Sequence, residues 1–134
     1  LYPYRELFKN SQIYAVMVGH AAYPSIDLQE KDSQGGFLPS SLSYNFVTSL
    51  LRKEMNFQNL ILTDDLEMGA IMENYGIGEA AKMALKAGND CLLICADTGR
   101  MLEAFTAVSR AVESGEISES RINESVERII KIKR

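Results

Sequence analysis

The stretch Leu60-Ile61-Leu62-Thr63-Asp64-Asp65-Leu66-Glu67-Met68-Gly69-Ala70-Ile71 decides the fold of this chain. An apolar run, Leu60 to Leu62, stops abruptly at Thr-Asp-Asp and passes into a segment able to start a helix. A strand covered on both faces by helices reads as such a continuous apolar run. Barrel enzymes built from parallel strands present their catalytic groups at the C-terminal strand ends. A carboxylate in this position is therefore a candidate catalytic group.

Similar units flank this stretch. Upstream, Tyr2 to Lys9 reads as the end of a helix, and Ile13 to Val18 as a strand buried on both faces, ending in Gly19-His20. A long polar loop, Ala21 to Pro39, comes next; loops of this length in a compact domain usually serve function or motion. Ser41 or Ser43 can cap the next helix, in which Phe46, Val47, Leu50 and Leu51 recur at helical spacing. Downstream, Met68 to Met72 predicts a short helix, Gly76 and Gly78 a turn, and Glu79 to Ala87 a helix stopped by Gly88. Cys91 to Cys95 predicts a third strand, ending in Ala96-Asp97.

Met101, Leu102, Phe105, Val108 and Val112 trace the buried stripe expected of a further helix, which Gly115 ends. Ser118 is placed to cap a last helix, with Ile117 and Ile122 as a hydrophobic staple. Its expected buried face is Ile122, Val126, Ile129 and Ile130. Alternating buried strands and amphipathic helices define an α/β protein with a parallel sheet. Three βα units fall short of a closed (β/α)8 barrel, which takes about 250 residues. The chain is thus either a small open α/β domain or a piece of a barrel.

Composition narrows the function classes. The 134 residues are 46% hydrophobic and 24% charged, which suits a folded domain with a modest core rather than a disordered chain. A net charge of −4 argues against a nucleic-acid partner. Arg128, Lys131, Lys133 and Arg134 cluster at one end, but Glu124 and Glu127 accompany them, as on a solvated helix face. No apolar segment approaches the roughly 18 residues of a membrane span, and no signal peptide is read. Cys91 and Cys95 share a strand face about 13 Å apart, too far for a disulfide, and are expected to be core thiols. They do not form a metal pair, since His20 is the only histidine that could join them.

Taken together, Leu38-Pro39-Ser40-Ser41-Leu42-Ser43, Leu50-Leu51-Arg52-Lys53-Glu54-Met55-Asn56-Phe57 and Leu60 to Ile71 closely resemble glycoside hydrolase family 3. The resemblance is to its bacterial β-N-acetylhexosaminidase branch. Gly78-Glu79-Ala80-Ala81, Ala84 to Asp90, Leu1 to Leu7 and the strand ending in Gly19-His20 extend it over nearly the whole chain. In the family pattern a strand ends in (Ser/Thr)-Asp-(Asp/Ala)-Leu-x-Met. Asp64 matches its catalytic nucleophile, and Asp65 stands where the family's β-glucosidases usually carry an aromatic residue. Asn59 replaces a usual glycine, a mild departure, because asparagine also tolerates left-handed backbone.

The resemblance implies a retaining glycosidase that releases terminal β-linked N-acetylglucosamine from glycans such as cell-wall fragments. It also implies no cofactor, and the residues show no metal constellation. It further implies an upstream barrel half bearing a Lys-His-Phe-Pro-Gly-His-Gly-like segment and an Asp-x-His acid/base pair, neither of which occurs in these residues. The expected fold is therefore the C-terminal part, about three βα units, of a TIM (β/α)8 barrel. Residues 1–134 would form a partial catalytic domain lacking its upstream half, inactive alone and prone to self-association through uncovered sheet edges. The compartment stays open between cytoplasm and export.

Retaining hydrolysis needs one carboxylate to attack the anomeric carbon and a second group, about 5 Å away in the usual pairs, to protonate the departing oxygen. Asp64 suits the first role; position alone would also suit a helix cap. Adjacent strand residues point to opposite sides, so Asp64 and Asp65 do not flank one bond. Asp65 is better placed as a cap or as support for the site. His20, ending the preceding strand, could contact sugar hydroxyls, steady Asp64 or simply pack. Met68 could line the sugar pocket, although core packing is the simpler reading. Asp97 is a weaker candidate at the same rim, and Gly76-x-Gly78 lacks the rest of any phosphate-binding motif. The rival readings are a β-glucosidase-like member of the family and a non-catalytic open α/β binding module.

Overall fold

The structure, a computed structural model, describes residues 1–134 apart from the side chain of Asn10. Helix α1 (Tyr2–Asn10) leads into β1 (Ala15–Val18). A tight 3-10 turn at Ser40–Leu42 and a helix at Asn45–Glu54 precede β2 (Leu60–Asp65). The chain continues through α2 (Gly69–Met72), α3 (Ile77–Ala87), β3 (Cys91–Leu93), α4 (Thr98–Glu113) and α5 (Glu119–Lys133). The strands form one parallel sheet in the order β1-β2-β3, so β2 is central. This is the alternating α/β architecture expected from the sequence.

Apolar side chains fill the space between sheet and helices. Val18, Val47, Phe57, Ile61 and Ala87 form one buried cluster. Leu66, Ile71, Ile77 and the small face Ala80, Ala81, Ala84 and Ala104 form another. Burying one Ile or Leu side chain contributes about 1.5–3 kcal/mol, so Ile61, Leu66, Ile71 and Ile77, all essentially inaccessible, hold the sheet to its helices.

Local signals mostly act as their chemistry dictates. Ser43 Oγ accepts the Phe46 amide at 3.3 Å and also bonds the Glu30 carboxylate, so it caps the Asn45–Glu54 helix. That helix is wound wide, its exit bond running from Met55 N–H back five residues to Leu50 O at 2.8 Å. Gly88 ends α3 with φ 117°, a conformation only glycine adopts easily. Ser118 caps α5 by accepting the Arg121 amide at 3.2 Å, and Ile117 packs with Ile122.

Several expectations need correction. β1, an edge strand, is not buried on both faces: Tyr14, Ala15 and Met17 are exposed, because no described element packs over them. Gly78 is not in a turn but in the first turn of α3, where a Cβ would stand 2.9 Å from the Ala107 methyl. The positive-φ asparagine is Asn56, not Asn59; Asn59 instead donates its amide to Ile13 O at 2.6 Å. Met101, Leu102 and Phe105 lie outside, since α4 packs on α3 through Ala104 and Ala107. Small residues allow the closest helix approach there, and of the expected stripe only Val108 and Val112 pack against the core. Similarly Val126 and Ile130 of α5 are exposed, and its fully buried residue is Ser125.

Ser125 is buried because it joins a polar centre at the N-terminal end of the sheet. The Asp90 carboxylate accepts the Ile61 amide at 3.0 Å, the Ser125 hydroxyl at 2.8 Å and Arg128 at 2.9 Å, and it also pairs with Arg52. Arg121 stands 3.9 Å away. Burial pulls the Arg52 and Arg121 guanidiniums below their ordinary range, with the Asp90 charge opposing. This network ties β2, β3 and α5 together at the end remote from the strand C-termini, where barrel proteins concentrate stability rather than chemistry. No helix among the described residues is long and apolar enough to cross a membrane.

Candidate active site

β2 was expected to stop at Leu62, but it continues through Asp65. It does so with a fault in register. Leu62 pairs with Cys91 and Asp65 with Leu93, so Thr63 and Asp64 stand opposite Leu92 alone. Such a bulge leaves one residue without a ladder partner and re-aims the side chains around it. The Thr63 hydroxyl repairs the ladder by accepting the Leu93 amide at 3.1 Å, and Thr63 is completely buried. Beyond the bulge, Leu66 N–H returns to Leu93 O at 2.9 Å. The bulge therefore places Asp64 outside the regular ladder at the C-terminal end of the central strand.

Asp64 is half-buried, and its Oδ1 accepts the amide of Asp65 at 2.8 Å. Asp65 Oδ1 accepts the amide of Glu67 at 3.1 Å, which turns the chain toward α2. The Asp65 carboxylate also takes the Cys95 thiol as a donor. Cys95 is exposed rather than a core thiol, because β3 ends at Leu93. Partial burial against this loop, and then the charges of Asp65, Glu67 and Asp64, push its thiol up. Asp64, Asp65, Glu67 and Cys95 thus share one rim.

His20 is buried beside that rim. Its Nε2 lies 2.9 Å from Asp65 O and its Nδ1 lies 2.7 Å from Ser41 Oγ. A carbonyl oxygen only accepts, so the proton belongs on Nε2, and Nδ1 of the neutral ring accepts from the serine hydroxyl. Ser41 is in turn fixed through its own carbonyl, which accepts Asn89 Nδ2 at 2.7 Å. Both nitrogens of His20 are therefore engaged within the protein, one of them on the strand that bears Asp64. Met68 is exposed at the start of α2 instead of packing in the core. Asp97 caps α4, accepting the Gly99 amide at 2.7 Å and the Arg100 amide at 3.4 Å.

Thr63, Ser41, Glu67 and Arg100 are site residues that sequence reasoning did not single out. Glu67 lies inside the deciding stretch, yet its partners, the Ala96 and Asp97 amides, belong to the next unit. No spacing rule connects residues that far apart in the chain. Among the described residues, no three His, Cys, Asp or Glu side chains gather closely enough to hold a metal ion.

This arrangement can present the Asp64 carboxylate, braced by the Asp65 amide, to an electrophile above the sheet. Comparison with known proteins identifies the setting. The chain is 30% identical to beta-hexosaminidase A of Pseudoalteromonas piscicida over 99% of its own length. It is 36% identical to the beta-hexosaminidase of Haemophilus influenzae over 71% of its length. It superimposes on a glycoside hydrolase family 3 beta-N-acetylglucosaminidase from Paenibacillus with a TM-score of 0.87, at 39% identity and over 98% of the chain. The chain spans about a quarter of these relatives: 24% of each hexosaminidase and 23% of the Paenibacillus structure. The model of the glycosyl hydrolase family 3 N-terminal domain matches residues 1–132, and the chain therefore belongs to that family.

Proposed function

We propose that these residues form part of a retaining β-N-acetylhexosaminidase in which Asp64 is the nucleophile. The observation that carries this reading is the position of Asp64 in a bulge at the C-terminal end of the central parallel strand. The family relationship over residues 1–132 supports it. In the first step the Asp64 carboxylate attacks the anomeric carbon of a terminal β-linked N-acetylglucosamine. The glycosidic bond breaks, its oxygen takes a proton from an acid, and a glycosyl ester on Asp64 remains. Water, deprotonated by the same group, then attacks the anomeric carbon, whose bond to the Asp64 oxygen breaks, freeing the sugar and the carboxylate.

The acid/base group comes from outside residues 1–134: the family's Asp-x-His pair does not occur in them, and both nitrogens of His20, the sole histidine, are engaged. His20 acts here by steadying the Asp65 backbone next to the nucleophile, at the edge of the sugar site. Met68, exposed beside the same loop, lines that site. Residues 1–134 are the C-terminal three units of a (β/α)8 barrel. The remaining units cover the exposed Tyr14 and Met17 at one edge and Met101, Leu102 and Phe105 on α4. Without them, these faces favour self-association. The substrate class is a β-N-acetylglucosaminide, including saccharides derived from cell walls.

The test is hydrolysis of an aryl β-N-acetylglucosaminide, with an aryl β-glucoside beside it. The chain alone is expected to give no turnover, and the full-length protein to turn over the N-acetylglucosaminide. Asp64→Asn in the full-length protein is expected to abolish that activity. Turnover by the chain alone, or by Asp64→Asn, would contradict the assignment. Preference for the glucoside would move the protein to the β-glucosidase side of its family.

A further inference from the structure

Glu67 occupies a setting that attack by Asp64 does not by itself require. It lies in the loop between β2 and α2, at the open end of the sheet, yet its side chain is only 5% exposed. A carboxylate is withdrawn this far from water only where its oxygens are matched by donors. Oε2 accepts the amide of Ala96 at 2.6 Å and that of Asp97 at 3.3 Å. Oε1 faces Arg100 Nη1 at 3.3 Å. The two amides form the turn between β3 and α4, so Glu67 bridges the loop after the central strand to the loop after its neighbour.

We propose that Glu67 is a positioning residue for Asp64, a role that rests on the assignment of Asp64 as nucleophile. The bulge at Thr63-Asp64 lacks one ladder pairing, so beyond the Thr63 hydroxyl the backbone there is held by the residues just downstream. Leu66 N–H bonds Leu93 O, Glu67 N–H bonds Asp65 Oδ1, and the Glu67 carboxylate grips the β3–α4 turn. The last of these reaches the adjacent loop and fixes the direction in which Asp64 leaves the sheet. Reach and acceptor geometry matter more than charge in this tie. The partners at Ala96 and Asp97 are neutral amides, and Arg100 is 43% exposed, where an ion pair is weak.

Two conservative variants of the full-length protein separate reach from charge. Glu67→Gln keeps the length and one acceptor oxygen but loses the charge. Glu67→Asp keeps the charge but draws the oxygens back by about 1.5 Å, one carbon–carbon bond. Turnover of an aryl β-N-acetylglucosaminide by Glu67→Asp is expected to fall about 10- to 100-fold in kcat, the scale set by a 1 Å misplacement of a reacting group. Its KM is expected to stay within about twofold, since the loss falls on the transition state rather than on binding. Glu67→Gln is expected to keep kcat within about fivefold of wild type.

A reversed order, with Gln worse than Asp, would overturn the proposal in favour of charge. Wild-type kcat in Glu67→Asp, even with a lowered melting temperature, would leave only a structural role and overturn it. A change confined to KM would do the same. Asp64→Asn, assayed alongside, separates the two readings. If it retains turnover, the nucleophile assignment fails and the Glu67 proposal with it. If it is dead while both Glu67 variants match wild type, only the Glu67 proposal fails.

Discussion

The Thr63 hydroxyl accepts the backbone amide of Leu93 at 3.1 Å, standing in for a strand carbonyl where the β2–β3 register slips. A side chain thus completes the sheet next to Asp64. Thr63→Val keeps shape and volume but leaves the Leu93 amide without its acceptor. An orphaned buried donor costs about 1–3 kcal/mol. Thr63→Val is expected to lose stability on that scale in urea unfolding and to turn over substrate more slowly, while Thr63→Ser retains both. Equal behaviour of Val and Ser would mean that the hydroxyl contributes nothing at the bulge.

Asp90 gathers Arg52, Arg121, Arg128 and Ser125 at the opposite end of the sheet. Its removal strands Arg52 without an anion and leaves Arg121 and Arg128 only the exposed Glu124, 3.9 and 3.8 Å away. Breaking a buried pair from one side costs about 3–5 kcal/mol. Asp90→Ala is therefore expected to lower the unfolding midpoint strongly, as measured by denaturant titration. A change under about 1 kcal/mol, the scale of an exposed pair, would show that the network is solvated.

Gly88 ends α3 with φ 117°. A Cβ there would collide with the Thr48 hydroxyl and reach Val47 Cγ1 at 3.3 Å. The backbone conformation alone costs a non-glycine residue about 1–3 kcal/mol, and the collision adds to it. Thr48 has little freedom to retreat, because its hydroxyl donates to Ala87 O at 2.6 Å. Gly88→Ala should melt at a clearly lower temperature, whereas Gly115→Ala, at φ 77° in open space, should lose only the backbone contribution.

Tyr75 joins the long loop after β1 to the α2–α3 turn by donating to Asp32 Oδ2 at 2.9 Å. Burial first, then this bond and the Asp32 charge, push the phenol up to about 12 from 10.0. The same bond holds the Asp32 carboxyl below its ordinary 3.8, against desolvation. A raised phenol favours the neutral form in the folded state, so its contribution is full below about pH 10 and is lost as pH rises through 12. The lowered carboxyl contributes above about pH 4, and that contribution is lost as pH falls further. In Tyr75→Phe the Asp32 titration, followed by NMR, is expected to move up toward 3.8. An unmoved titration would mean that the latch is not formed in solution.

The sequence by itself determined the alternation of strands and helices and the position of Asp64 at the C-terminal end of a parallel strand. It also determined the caps at Gly88 and Ser118, and narrowed a third to Ser41 or Ser43, of which the structure uses Ser43. These signals are local: an apolar run, a carboxylate after it, or a cap is written within a few residues. Only the tertiary structure decided which apolar residues are buried. Met101, Leu102 and Phe105 have the right spacing, but Ala104 and Ala107 permit the closer contact with Gly78 and Ala80, so the bulky face turns outward. Likewise the bulge at Thr63-Asp64, the His20–Asp65 bond and the reach of Glu67 to Ala96 depend on how two strands align. Register between strands is set by packing and hydrogen bonding across the sheet, and a single strand's sequence does not encode its neighbour's position.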